Sequence, residues 1–112
     1  MITTPEYNYS VPGPLKNAID WVSRPPEQPF AGKPIAILGA FAGGMGTARA
    51  QYHLRQVFVF LDGRLLNKPE VMIPSAFNVF DGEGHLQDDA VRDRIAQQVK
   101  ALVDVARVAV AA

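Results

Sequence analysis

Pro34-Ile35-Ala36-Ile37-Leu38-Gly39-Ala40-Phe41, followed directly by Ala42-Gly43-Gly44-Met45-Gly46, is the stretch on which the fold turns. A short apolar run without alternation, bounded by turn signals, fits a strand buried on both faces, as strands of parallel sheets are. The glycines after it mark a loop. The next residues place Ala50, Leu54, Val57, Phe58 and Leu61 on one helical face, and Asp62-Gly63 predicts a glycine-type helix end. Strand, glycine loop and helix in that order make one unit of a sheet with crossover helices.

Working outward, Met1 to Thr4 reads as the last part of a strand. The segment Thr4-Pro5-Glu6-Tyr7-Asn8-Tyr9-Ser10-Val11-Pro12-Gly13-Pro14 reads as loop, because its three prolines remove backbone donors and restrict the residues before them. Leu15, Ala18, Ile19 and Val22 then recur at helical spacing, with Pro14 suited to the first helical position and Pro25-Pro26 as the stop. Glu27 to Lys33 is a connector. Downstream, Val71-Met72-Ile73 before Pro74 predicts a further strand, and Asp81-Gly82-Glu83-Gly84 a turn. From Asp88 to about Val108, Val91, Ile95, Val99, Leu102 and Ala106 share one helical face. The expectation is an α/β fold of about three parallel strands and three helices, with sheet edge and helix surface left uncovered and therefore prone to self-association.

Composition bounds the function. The 112 residues suit one domain, and 11 Lys+Arg against 11 Asp+Glu give zero formal charge with the basic residues scattered. That lacks the electrostatic footprint of phosphate-backbone binding, so neither nucleic acid nor an anionic membrane is an expected partner. With no Cys, thiolate metal sites, iron–sulfur clusters and cysteine nucleophiles are excluded together. No run approaches the roughly 20 apolar residues of a membrane span, and a cytoplasmic location is the expectation.

Ligands of open α/β sheets bind at the carboxyl ends of the strands. Two loops fall there. In the first, Tyr7, Asn8 and Tyr9 offer aromatic faces and an amide that suit a flat ring with polar edges; the alternative is packing tyrosines on a stiff turn. Glu6 reads as a proton donor or as a carboxylate capping nearby N–H groups. In the second loop, Gly43, Gly44 and Gly46 precede a helix N-terminus, an anion-binding arrangement or simply a common turn. The segment completes neither the P-loop nor the dinucleotide fingerprint. His53 and His85 form no metal motif with a carboxylate, and Ser10, Ser23 and Ser75 lack a nucleophile-elbow setting. Arg49, Tyr52 and Arg55 lie on one stripe of the central helix, either solvated or an interface, with Glu70 as a candidate counter-charge.

The run from Thr4 to Trp21, with Gly46-Thr47-Ala48-Arg49-Ala50-Gln51-Tyr52-His53-Leu54-Arg55-Gln56 and Asn67-Lys68-Pro69-Glu70, closely resembles the NADPH-dependent FMN reductase family in its quinone and chromate reductase branch. The resemblance runs from Met1 into the C-terminal helix. It implies a flavodoxin-like fold of strand order 2-1-3-4-5, FMN as cofactor, NADPH or NADH as electron donor, and a quinone, metal oxyanion or other small molecule as acceptor. It implies that Pro5, Glu6, Tyr7 and Asn8 lie along the flavin ring, largely through backbone contacts. Asn8 and Tyr9 would border the substrate face, and the glycine loop with Gly43, Gly44 and Gly46 would close the second wall. Arg49, Tyr52 and Glu70 would join subunits of a homo-oligomer, dimer or tetramer. No catalytic side chain and no metal are expected, since the flavin carries the chemistry.

Family members start with a strand, a Gly-Ser-Leu-Arg type loop that binds the FMN phosphate, and a helix. Nothing here corresponds, and Met1 aligns inside the third strand. The expectation is therefore residues 1–112 as a partial flavodoxin-like domain holding strands three to five, with weak or absent flavin. Two alternatives stand beside an active reductase: a non-catalytic remnant or assembly subunit without flavin, and an anion-binding module on Gly43 to Gly46.

Overall fold

The computed structural model describes residues 1–111. Strands β1 (Ile2–Thr3), β3 (Ile37–Ala40) and β5 (Val71–Ile73) form a parallel sheet in the order β1-β3-β5, the order expected for strands three, four and five. A second parallel pair joins β2 (Pro34–Ile35) to β4 (Arg64–Leu65). The helices are α1 (Gly13–Val22), α2 (Ala48–Phe60), α3 (Ala76–Val79) and α4 (Asp89–Ala111).

The central apolar run is indeed buried on both faces. Ile37 joins Ile19, Ile35, Leu54, Phe58 and Leu61 on the side of α1 and α2, while Leu38 joins Val71, Ile73 and Val79 on the side of α4. Alternation along an extended chain produces this division. The run is two strands rather than one. The amide of Leu66 donates to Ile35 O at 2.8 Å and that of Ile2 donates to Ala36 O at 2.8 Å, so successive carbonyls serve opposite neighbours. Between β4 and β5 the neighbouring chain is interrupted around Pro69, which has no N–H to donate. Gln98 of α4, 1% exposed, spans that interruption: its Nε2 donates to Ile37 O and Pro69 O, each at 3.0 Å.

Gln98 also corrects the reading of the last helix. The buried stripe passes through Val91, Ile95, Gln98 and Leu102, and Val99 is exposed. Asp88 caps the helix, accepting the Val91 N–H at 3.0 Å. The start of α1 differs slightly too, with Gly13 rather than Pro14 first and Pro12 as N-cap. At the end of α2, Asp62 rather than glycine takes the left-handed conformation (φ 55°), with Asp62 N–H donating to Val59 O and Gly63 N–H to Phe58 O. At Gly63 a Cβ would lie 2.8 Å from Ile35 Cδ1 and 3.3 Å from Phe58 Cβ, so a side chain there would have to shift the Ile35 methyl.

Gly39 is the most tightly enclosed of the glycines. A side chain would overlap the Thr4 carbonyl and the Thr47 hydroxyl, so β1, β3 and the start of α2 meet across its bare Cα. This brings the loop after β1 against the first turn of α2.

Candidate functional site

Three loops gather at the carboxyl ends of β1, β3 and β5. The first carries a tight turn in which Tyr7 and Ser10 exchange backbone hydrogen bonds of 3.1 and 2.9 Å. Its central residues, Asn8 (φ 47°) and Tyr9 (φ 67°), are both left-handed, as a type I′ turn requires. Asparagine tolerates that conformation. Tyrosine does not, at a cost of about 1–3 kcal/mol that surrounding contacts must offset.

Those contacts come from α2. The Arg49 guanidinium lies 3.6 Å from the centroid of the Tyr9 ring, and Ser10 Oγ is 2.8 Å from His53 Nδ1, one helical turn further on. Arg49 is in turn held by Glu6, whose Oε1 accepts from Nε at 2.7 Å and from Nη2 at 2.6 Å. The other oxygen, Oε2, accepts the Ala50 N–H at 3.0 Å. Glu6 is 2% exposed. Of its two readings, the cap is the one observed, and the side chain points into the protein rather than toward a ligand. At the N-terminus of α2 a carboxylate of the chain itself takes the Ala50 N–H, so that donor is not open to an external anion.

Pro5, Tyr7, Asn8 and Tyr9 are exposed around this buried anchor. Facing them, Gly43 is half-buried, Gly44 opens to solvent, and Gly46 is buried in the left-handed conformation (φ 58°), where a Cβ would sit 3.0 Å from Ile73 N. Gly46 thus has a structural reason to be glycine. The glycine loop is tied down by the third loop, which sequence reasoning did not single out: Ser75, left-handed at φ 50°, donates its N–H to Gly43 O at 3.2 Å, and Ala76 donates to Phe41 O at 3.1 Å. A Pro-Ser pair after a strand was the available signal.

The backbone N–H groups of Asn8, Tyr9, Gly43 and Gly44 find no acceptor among the described residues. Beside the first loop lies a cleft of about 300 Å³ lined by Thr4, Pro5, Gly39, Ala40, Phe80 and Ile95 among others. A larger hollow of about 370 Å³ beside Asp20, Trp21 and Arg24 lies at the far end of α1, away from these loops. The same end of the sheet thus carries an apolar cleft and, on separate loops, free N–H donors, features that suit a planar ring with carbonyl edges. They do not suit its phosphate. The nearby cation, Arg49, is engaged by Glu6, which also takes the Ala50 N–H of α2.

The outward stripe of α2 is less uniform than its spacing suggests. Tyr52 donates to Glu70 Oε1 at 2.8 Å, whereas Arg55 turns to Asn67 Oδ1 at 3.0 Å and Leu66 O at 2.9 Å. Glu70 therefore serves Tyr52 and not an arginine. That hydrogen bond, followed by the charge of Glu70, raises the Tyr52 phenol above its ordinary value.

A profile of proteins described as NADPH-dependent FMN reductase matches residues 1–78. An NAD(P)H-dependent FMN reductase of Pseudomonas aeruginosa is 70% identical over 102 residues, covering 91% of this chain and 55% of its own length. A quinone reductase of Escherichia coli is 53% identical over 102 residues, covering 90% of this chain and 54% of its own. Among solved structures, the flavoenzyme NAD(P)H:(acceptor) oxidoreductase FerB from Paracoccus denitrificans superposes with a TM-score of 0.78 at 36% identity, over 91% of this chain and 57% of the other. The shared arrangement is a flavodoxin-like α/β fold. The chain spans about half the length of the curated relatives it matches.

Proposed function

Since the chain belongs to the NADPH-dependent FMN reductase family, we propose that it forms the ring-binding part of an FMN site in an NAD(P)H-dependent reductase of small acceptors such as quinones, residues 1–112 being part of one flavodoxin-like domain. The observation that carries this reading is the preformed turn at Tyr7–Ser10. Two consecutive left-handed residues carry N–H groups that find no acceptor among the described residues, at the same carboxyl end of the parallel sheet as the glycine loop. Bound FMN supplies the redox chemistry, accepting reducing equivalents from a nicotinamide nucleotide and passing them to the acceptor.

The protein's own part is binding and shielding. Pro5, Tyr7, Asn8 and the glycines at 43 and 44 offer backbone and apolar surface to the ring, and Asn8 and Tyr9 border the side from which donor and acceptor approach. Fixed N–H groups at the rim favour the extra negative charge of a reduced ring, without an acid–base side chain. Gly46 supports the wall from behind by its approach to β5. Tyr52 and Glu70, exposed and joined to each other, are assigned to a contact between copies of the chain, with Arg49 acting within the subunit. Among the described residues no helix is long and apolar enough to cross a membrane.

The test is a titration of the purified chain with FMN, followed by quenching of flavin fluorescence and then by NADH- or NADPH-driven quinone reduction. Saturable quenching with turnover supports the proposal; no saturable quenching sinks it. A second reading, an assembly part that binds no flavin, is favoured by one observation: the arginine and the helix end beside the site are both occupied by Glu6, so a phosphate finds no charged partner there. It predicts colourless protein unaffected by added FMN.

A further inference from the structure

The turn that faces the proposed flavin is held from beneath by one face of α2, and the residue that organises this hold is not itself on the turn's surface. A buried carboxylate costs several kcal/mol to desolvate unless it is fully paired, so its partners have to be specific. Glu6 divides its two oxygens between two tasks. Oε2 caps Ala50, a task that any acceptor oxygen performs. Oε1 takes both Nε and Nη2 of Arg49, which fixes the plane of the guanidinium. That plane is what Tyr9 stacks on at 3.6 Å. Arg49 is only partly exposed, with 30% of its side-chain surface open, so it has little freedom to find the ring without the carboxylate.

We propose that Glu6 is a positioning residue for the flavin-facing turn, acting through Arg49 on Tyr9, so that the turn is set before any ligand binds. The inference rests on the flavin reading above, and deepens it: the Glu6 side chain, turned to Arg49 and Ala50, determines whether the N–H groups of Asn8 and Tyr9 are presented to the cofactor. His53 adds a second, independent anchor at Ser10.

The two tasks of Glu6 separate in Glu6→Gln. The amide oxygen still accepts from Ala50, while the amide NH2 faces Arg49 and releases it. In amide hydrogen exchange on the ligand-free chain, Tyr7 and Ser10 are expected to exchange about tenfold faster, with Ala50 and Leu54 unchanged. FMN affinity, read by fluorescence quenching, falls by a similar factor. Unchanged exchange at Tyr7 and Ser10 overturns the proposal, as does equal acceleration at Ala50 and the turn, which is plain loss of a cap.

Should Glu6→Gln fail to fold, Arg49→Lys decides. It keeps the charge beside Glu6 but loses the flat face against Tyr9, and must accelerate Tyr7 and Ser10 in the same way; no acceleration overturns the proposal. Because exchange is read without flavin, absence of FMN binding by the unmodified chain refutes the flavin reading alone and leaves the role of Glu6 to be decided separately.

Discussion

The hydroxyl of Tyr52 donates to Glu70 Oε1 at 2.8 Å, joining the outward stripe of α2 to the segment that leads into β5. The phenol is raised above its ordinary value of about 10, first by this hydrogen bond and then by the charge on Glu70. A raised acid favours its protonated form in the fold. Its contribution to stability is therefore complete below the ordinary phenol value and is lost as pH rises through the raised one. The Tyr52 Cζ signal, followed by NMR titration, is expected to move to lower pH in Glu70→Gln; an unmoved midpoint refutes the assignment.

Gln98 holds the buried Ile37 carbonyl and the part-buried Pro69 carbonyl with one amide group. Gln98→Leu fills similar volume but leaves Ile37 O and Pro69 O without that donor. Urea denaturation should show a loss of about 2–3 kcal/mol. A loss within about 0.5 kcal/mol would mean that the interrupted ladder satisfies itself.

Gly39 and Gly44 make a controlled pair. Adding a methyl group at Gly39 drives it into the Thr4 carbonyl and Thr47 hydroxyl, whereas at Gly44 it meets open space. Gly39→Ala should cost about 3 kcal/mol or more, or give insoluble protein, and Gly44→Ala should stay within about 0.5 kcal/mol of the parent. Similar melting temperatures for the two variants would contradict the packing described here.

The assignment of Tyr52 and Glu70 to a contact between copies also has a direct readout. Light scattering of the parent chain should give a mass above that of one chain, and Tyr52→Ala should lower it while leaving the far-ultraviolet circular dichroism unchanged. A monomeric parent, or an unchanged mass in the variant, removes the interface.

How far the fold was readable from residues alone follows from what each residue's pattern encodes. Ile37 and Leu38 announce a two-sided buried strand, and the structure sends them to separate cores. Asp88 announces a helix start and caps it. The split after Ile35 was not readable, because it depends on where the chain around Pro69 leaves the ladder, a non-local event. Val99 fitted the apolar period of the last helix, yet Gln98 faces inward because two carbonyls need its donor; a periodicity count ranks polarity and cannot see such a need. At the site, the loop itself was legible from Pro5, Pro12 and Gly13. The inward course of Glu6 was not, since its partners stand far along the sequence at Arg49 and Ala50.

The carboxylate at the head of α2 bears on ligand selectivity. An oxyanion arriving from solution must displace a group that is covalently attached to the same chain and therefore present at very high effective concentration. Glu6 behaves as a built-in competitor for the Ala50 N–H, so this end of the helix dipole orders the chain's own loop.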